Sequence, residues 1–350
     1  MSLGRKRAAL AAFSTLFTLL LAELAVRVLG LAPTHWVHHV HLESDDKRVG
    51  VDLYPDNTRG YFRQMIDDDE VIAHLAAANV NLDRHARTPH AVPLRYTESL
   101  CRGSDPGPKQ GRRIVIVGDS FAEGQGVYEE DTFAARLDDA LTNAEVLNCG
   151  RRGYDFPDLR GFFERQLALD PDVVVYAMTL NDPQQSEAFH SQQEFLNDWI
   201  MDRRHMVDDA PANPPWWKSR LWALASDRLE GRRVADATTR WYRDMVDTPN
   251  AAGWAATQDH VAAMAAEVEA RGGTLHVVLL PLFVDLHDYP FRSVHETIRN
   301  AFEARGVTVH DLLATFEGED ARELWVHPAD RHPNERAHAM IADALEPVLR

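Results

Sequence analysis

Ser120, His332 and Asp330 are the residue types that acyl transfer through a covalent serine requires. A hydroxyl nucleophile needs a base within hydrogen-bond reach, and the base needs a third group to orient it. Ser120 supplies the hydroxyl, His332 the base and Asp330 the orienter. A tetrahedral intermediate also needs donors aimed at its oxyanion. The backbone N–H groups of Ser120 and Gly153 and the side-chain amide of Asn181 are placed in the chain to supply them. Each residue has a plainer reading. Gly118-Asp119-Ser120 is also a common turn from strand to helix, and Asp119 reads as its scaffold, accepting backbone N–H bonds. Gly150 competes with Gly153 and reads as the turn glycine. Asp182, ahead of Pro183, reads as a helix cap and Asn334 as the N-cap of the last helix. His327 is a rival base, and His338 falls inside the last helix as a structural residue.

These residues follow a regular alternation of strands and helices. Ile114 to Val117 form a β-branched apolar run, the pattern of a strand covered on both faces of a parallel sheet. The strand at 113–118 leads to Ser120. A helix from Asp131-Thr132 carries Phe133, Leu137 and Leu141, and a second strand, 144–148, leads to Gly153. Pro157 suits the first turn of the next helix, whose core face carries Leu159, Phe162, Phe163 and Leu167. A third strand, 173–178, leads to Asn181. After an insertion come a helix (254–270), a strand (275–280), a helix (293–305), a short strand (307–309) and a last helix (334–348), entered just after His332. Such alternation predicts a parallel α/β sheet with right-handed crossovers. In that topology Ser120, Gly153, Asn181 and the Asp330/His332 segment gather at one end of the sheet, where open α/β folds bind ligands.

In that order the segments resemble the four blocks of the SGNH hydrolases, the GDSL-type esterase/lipase family, over about residues 113–350. Gly118-Asp119-Ser120-Phe121 resembles the first block, with Phe where many members have Leu. Asn148-Cys149-Gly150-Arg151-Arg152-Gly153 resembles the second, its later glycine matching the oxyanion donor. Asn181-Asp182 resembles the third, with Thr179 in place of the usual glycine. Asp330-Arg331-His332 resembles the last, shortened from Asp-x-x-His. The shorter spacing is similar to that of related proteins that O-acetylate alginate. The resemblance implies a flavodoxin-like three-layer α/β/α sandwich and a serine esterase that needs no metal or cofactor. Its ester substrate would be a lipid, an O-acyl glycan or another secreted ester. An O-acyltransferase on an envelope polysaccharide, or a non-catalytic glycan- or partner-binding envelope protein, are the alternatives.

At 350 residues the chain can bury a substantial core, and its net charge of −17 argues against a nucleic-acid partner. Arg5-Lys6-Arg7 precede an apolar run that extends to Leu31. That pattern predicts an uncleaved signal anchor over residues 1–31 rather than a cleaved signal peptide, with the rest outside the cytoplasm. Glu23 and Arg27, four apart on one helical face, can offset each other near the interface. Residues 32–112, interrupted by prolines, read as a connecting region of irregular strands and a short helix at 67–78. His35, His38, His39 and His41 could bind metal, but no cysteine or spaced carboxylate set accompanies them, so a solvated stretch is expected. The two cysteines, Cys101 and Cys149, could pair in an oxidising compartment, but two unpaired thiols are the expectation. The insertion at 184–253 carries Trp199, Trp216, Trp217, Trp222 and Trp241. It suits a lid or substrate wall, a helical subdomain packed on the sheet, or contact with a membrane interface.

Overall fold

The computed structural model describes residues 3–31, 39–54, 64–65, 86–87, 90–154, 156, 158–192, 216–328 and 330–350. Pro157, His35, His38, Trp199, the 211–215 proline run and the expected helix at 67–78 lie outside the described residues. At the centre is a parallel sheet of β6 (Arg112–Gly118), β7 (Ala144–Gly150), β8 (Val173–Met178), β9 (Thr274–Leu279) and β10 (Thr308–Asp311). Its spatial order is β10-β9-β8-β6-β7. Numbered along this sheet, that is the 2-1-3-4-5 order of flavodoxin-like folds. Because β6 has neighbours on both sides and helices on both faces, Ile114 to Val117 are fully buried.

The chain leaves β6 for β7 on one side and then crosses to β8 on the other. The crevice where the winding reverses opens beyond the carboxyl end of β6, directly ahead of Ser120. The covering helices are held by apolar side chains at helical spacing. Leu159, Phe162 and Phe163 are buried from the helix Asp158–Gln166. Trp254, Val261, Met264 and Val268 are buried from the helix Ala251–Glu269.

The segment ahead of the parallel sheet forms a three-stranded antiparallel sheet of β1 (Val40–Glu43), β2 (Val49–Tyr54) and β5 (His90–Arg95), with β2 in the middle. Val51, Asp52, Leu53 and Tyr54 of β2 are all fully buried, so both faces of this strand are covered. One face looks into the crevice. A two-residue ladder pairs β3 (Gln64–Met65) with β4 (Ala86–Arg87).

Cys101 and Cys149 form a disulfide, which corrects the expectation of two unpaired thiols. The cause is a bridge that no local pattern announces. The Arg102 N–H donates to the Asn148 carbonyl at 2.6 Å and lays this segment antiparallel along the end of β7, bringing Cys101 beside Cys149. At the N-terminus, the helix Leu3–Val28 buries only Val26, and its length and apolar character suffice to cross a membrane.

Candidate active site

Ser120 begins the short helix Ser120–Glu123 directly after β6. The turn into it is tight. A Cβ on Gly118, whose φ is +153°, would meet the Ala177 carbonyl at 2.4 Å, and one on Gly150 would meet the Glu123 nitrogen at 2.2 Å. Glycine at both positions lets β6 and β7 approach the helix start closely. Asp119 caps this helix as expected, accepting from the Phe121 N–H at 2.8 Å.

Asp330 and His332 lie on β12 (Asp330–Pro333), which pairs antiparallel with β11 (Trp325–His327). On a strand, residues i and i+2 share a face. The shortened Asp-x-His spacing therefore brings both side chains to the same side, as a longer spacing would on a turn or helix. Ser120 Oγ lies 2.8 Å from His332 Nε2, and His332 Nδ1 lies 2.5 Å from Asp330 Oδ1. Asn334 caps the following helix, accepting from the Arg336 and Ala337 N–H groups at 3.1 Å, and fixes the end of the strand. His327 pairs with Asp330 in the ladder and its ring tilts against Tyr54 at 5.9 Å. His338 accepts from the Phe133 N–H at 3.1 Å inside the core.

The second oxygen of Asp330 is held by residues that the sequence did not single out for this role. Tyr54 on β2 donates its hydroxyl to Asp330 Oδ2 at 2.8 Å. Gln125 donates to the same oxygen at 3.0 Å and reaches His39 Nε2 at 3.3 Å. His39 stacks on Tyr54 with ring centroids 5.5 Å apart, and His41 pairs with Asp52 at 3.0 Å. These two histidines are thus engaged with the protein rather than forming a solvated stretch. Burial, against the pull of Asp330 and Asp52, lowers the His39 pKa to about 4.

Behind the serine, Arg152 bridges two fully buried carboxylates. It meets Asp52 at 2.6 Å and Glu123 at 2.5 Å. Burial opposes the charge on Asp52, but Arg152 and His41 outweigh it and hold the carboxyl well below the usual range.

For His332 burial also opposes charge, yet the Asp330 carboxylate and its hydrogen bond prevail, so the imidazole pKa is raised. For Asp330 the opposing burial is overcome by His332, His39 and Gln125, and its pKa is lowered.

Gly153 follows β7 with φ +74° and is exposed, and Asn181 follows β8, so these residues flank the end of β6. Among the described residues, the backbone N–H groups of Ser120 and Gly153 meet no acceptor. The Asn181 amide donates to Asp119 Oδ2 at 3.3 Å. Thr179 stands where the resemblance of the third block implies glycine. Its one hydroxyl proton faces Asp119 Oδ2 at 2.8 Å, Asn181 Oδ1 at 2.9 Å and Asp182 Oδ1 at 3.0 Å. The helix that follows, Glu187–Ser191, is capped by Ser186 rather than by Asp182 as expected. Asp182 is fully buried and accepts from the Tyr176 hydroxyl at 2.8 Å and the Thr179 N–H at 3.1 Å. Burial, with Asp119 adding repulsion, pushes its carboxyl well above the usual range.

Residues 116–340 match the family described as GDSL-like Lipase/Acylhydrolase. No curated protein matches the chain. Among solved structures, TesA is similar at 15% identity, with 68% of this chain and 98% of that chain covered and a TM-score of 0.42. A member of the lipolytic G-D-S-L family from Veillonella parvula gives 14% identity, 68% and 98% coverage and a TM-score of 0.39. Axe2, an acetylxylan esterase from Geobacillus stearothermophilus, gives 13% identity, 68% and 94% coverage and a TM-score of 0.40.

Proposed function

The chain belongs to the GDSL-like lipase/acylhydrolase family, whose members hydrolyse esters, and on that premise we propose that Ser120, His332 and Asp330 are its catalytic residues, on an extracytoplasmic domain anchored by the N-terminal helix. The observation that carries the site is the continuous chain Ser120 Oγ–His332 Nε2 and His332 Nδ1–Asp330 Oδ1, at 2.8 and 2.5 Å. Ser120 Oγ attacks the ester carbonyl as His332 Nε2 takes its proton. Asp330 accepts from Nδ1–H and stabilises the imidazolium that forms. The carbonyl oxygen, now negative, draws the N–H groups of Ser120 and Gly153, and the Asn181 amide turns to it from Asp119. Collapse returns the proton from Nε2 to the leaving alcohol. Water, deprotonated by the same nitrogen, then attacks the acyl-serine and releases the acid.

Two observations support the location. Arg5, Lys6 and Arg7 open the apolar helix, which favours a cytoplasmic start. The Cys101–Cys149 disulfide suits an oxidising compartment. Intact protein released by sodium carbonate would contradict the anchor. The substrate would be a lipid, an O-acyl glycan or another secreted ester. The Asp330-x-His332 spacing also suits transfer to a sugar hydroxyl, and competition between water and a glycan acceptor in a product assay separates that reading. The site is tested by fluorophosphonate labelling and p-nitrophenyl ester hydrolysis. Ser120→Ala and His332→Ala should abolish turnover and Ser120→Ala the label, while His327→Ala keeps most activity. Equal loss from both histidine variants, in folded protein, would overturn the assignment.

A further inference from the structure

Of the insertion tryptophans among the described residues, one is spent on packing. Trp241 meets Tyr242 at 4.8 Å and leans on the core. Trp216, Trp217 and Trp222 are instead 79%, 67% and 69% exposed, with the first two rings edge-to-face at 6.2 Å. Indoles clustered in water within one short segment mark a surface with a partner.

Their position is set by polar contacts with the N-terminal helix. The Glu23 carboxylate accepts from Ser219 Oγ and from the N–H groups of Arg220 and Leu221, each at 2.8 Å. It thereby satisfies the first two N–H groups of the helix Arg220–Asp244, whose N-cap Ser219 accepts from the Trp222 N–H. Arg27, paired with Glu23 at 2.6 Å, donates to the carbonyls of Trp216 and Lys218 at 2.9 Å. The tryptophans are thus pinned beside residues 23–27, in the last turns of a helix that ends at Val28. When the exposed apolar run Ala8–Ala22, about 22 Å long at 1.5 Å per residue, lies in the hydrocarbon, Glu23 and Arg27 come at its outer boundary, the depth where indole rings settle.

The rest of this surface fits the same partner. Leu229 is 65% exposed and lies two turns beyond Trp222 on the same helical face. Residues 216–236 carry Lys218, Arg220, Arg228, Arg232 and Arg233 against Asp227, Glu230 and Asp236, a local excess of two positive charges on a chain whose net charge is −17. A local basic surface on an acidic protein complements anionic phospholipid. We infer that Trp216, Trp217, Trp222 and the first turns of the helix Arg220–Asp244 form a seat on the anionic headgroup layer of the bilayer that holds the N-terminal helix. The inference rests on the membrane-anchored reading. The seat converts a single-helix tether into a fixed orientation of the catalytic domain.

The test uses the full chain in phosphatidylcholine/phosphatidylglycerol liposomes with brominated acyl chains, which quench nearby indoles. In the triple variant Trp216→Ser/Trp217→Ser/Trp222→Ser, the lipid-quenchable tryptophan emission should fall by at least about twofold. Glu23→Gln should lower it as well, because it loosens the clamp. Both variants should stay in the carbonate-washed pellet and keep the wild-type rate on a water-soluble ester. Unchanged quenching in a triple variant that stays in the pellet overturns the seat and leaves the anchor standing. Equal quenching in purely phosphatidylcholine liposomes overturns the anionic headgroup as its partner. Release of intact wild-type protein by carbonate overturns the anchor, and the seat with it.

Discussion

Replacing Tyr54 by Phe removes one oxygen from a residue that reaches the site from outside the family-matched segment. That hydroxyl donates to Asp330 Oδ2 at 2.8 Å, beside the 3.0 Å bond from Gln125. Asp330 Oδ1 receives His332 Nδ1 at 2.5 Å and the His332 backbone N–H at 3.2 Å. The variant leaves the Nδ1 bond intact and removes one of two side-chain donors to the other oxygen. A hydrogen bond to a charged group contributes about 1.5–3 kcal/mol. Gln125 remains and water can reach a site where His332 is partly exposed, so the lower end applies to the transition state. About 1.4 kcal/mol corresponds to a roughly tenfold fall in kcat.

The sign of the pH effect follows from the same geometry. With one donor fewer, the Asp330 carboxylate attracts the imidazole proton more strongly, and the raised pKa of His332 rises further. Turnover needs the neutral imidazole, so the acid limb of kcat/KM should move to higher pH in Tyr54→Phe. The assay is the pH profile of p-nitrophenyl ester hydrolysis, with Tyr96→Phe as control. Tyr96 is equally buried and donates to Glu123 at 2.8 Å, so its loss costs stability without touching the Asp330–His332 pair. A Tyr54→Phe profile superimposable on wild type, or one that Tyr96→Phe reproduces, would refute the role assigned to Tyr54.

Cys101→Ser removes a cross-link that closes a 48-residue separation. Chain entropy puts its contribution at about 4 kcal/mol, read as a lower denaturant midpoint, and an unchanged midpoint would contradict it. Asp182→Asn mimics the protonated acid, keeping an acceptor for Tyr176 and a donor toward Thr179, and should hold its Tm at pH 8 where Asp182→Ala does not. Because the folded pKa of Asp182 is raised, its favourable contribution is full below the unfolded pKa and is lost as pH rises through the folded one. Asp182→Asn should therefore flatten stability against pH, and a loss equal to that of Asp182→Ala would show the acid to be ionised. Arg152→Met leaves Asp52 and Glu123, each fully buried, without their shared cation, and should cost about 3–5 kcal/mol by chemical denaturation. Adding Asp52→Asn should recover part of that loss, and strict additivity would exclude the pairing.

Much of this was legible because local physics and position agree along the parallel sheet. The β-branched run 114–117 could be little other than a buried strand, and the strand 173–178 falls where expected. Leu159, Phe162 and Phe163 showed their core face by spacing alone, and Asn334 showed its cap by residue type. The parts that escaped depend on distant partners. Tyr54 and Asp330 are 276 positions apart, and Gln125 and Asp330 are 205, so nothing near either residue predicts the contact. The disulfide depends on the bridge at Arg102, and the antiparallel sheet of β1, β2 and β5 was obscured by prolines between its strands. Asp182 misled because a carboxylate before proline suits a helix start, while the fold buries it beside Thr179 and Asp119, which raises its pKa.

The Thr179 substitution and the Asp-x-His spacing are departures from the family pattern, and each has a structural counterpart. Glycine at 179 would leave Asp119 and Asp182 facing each other without a bridging hydroxyl; threonine occupies that gap and orders both acids under the turn that presents Ser120. The shorter spacing in the last block works because β12 is extended, and the strand needs support from outside the hairpin. Tyr54 and Gln125 supply it, and β2 is itself tied to the serine helix by the Asp52–Arg152–Glu123 bridge. The first departure orders the turn that presents Ser120, and the second leaves the Asp330–His332 pair held from the sheet of β1, β2 and β5. In this chain, then, the short spacing in the last block goes together with a separate antiparallel sheet that holds Asp330 through Tyr54.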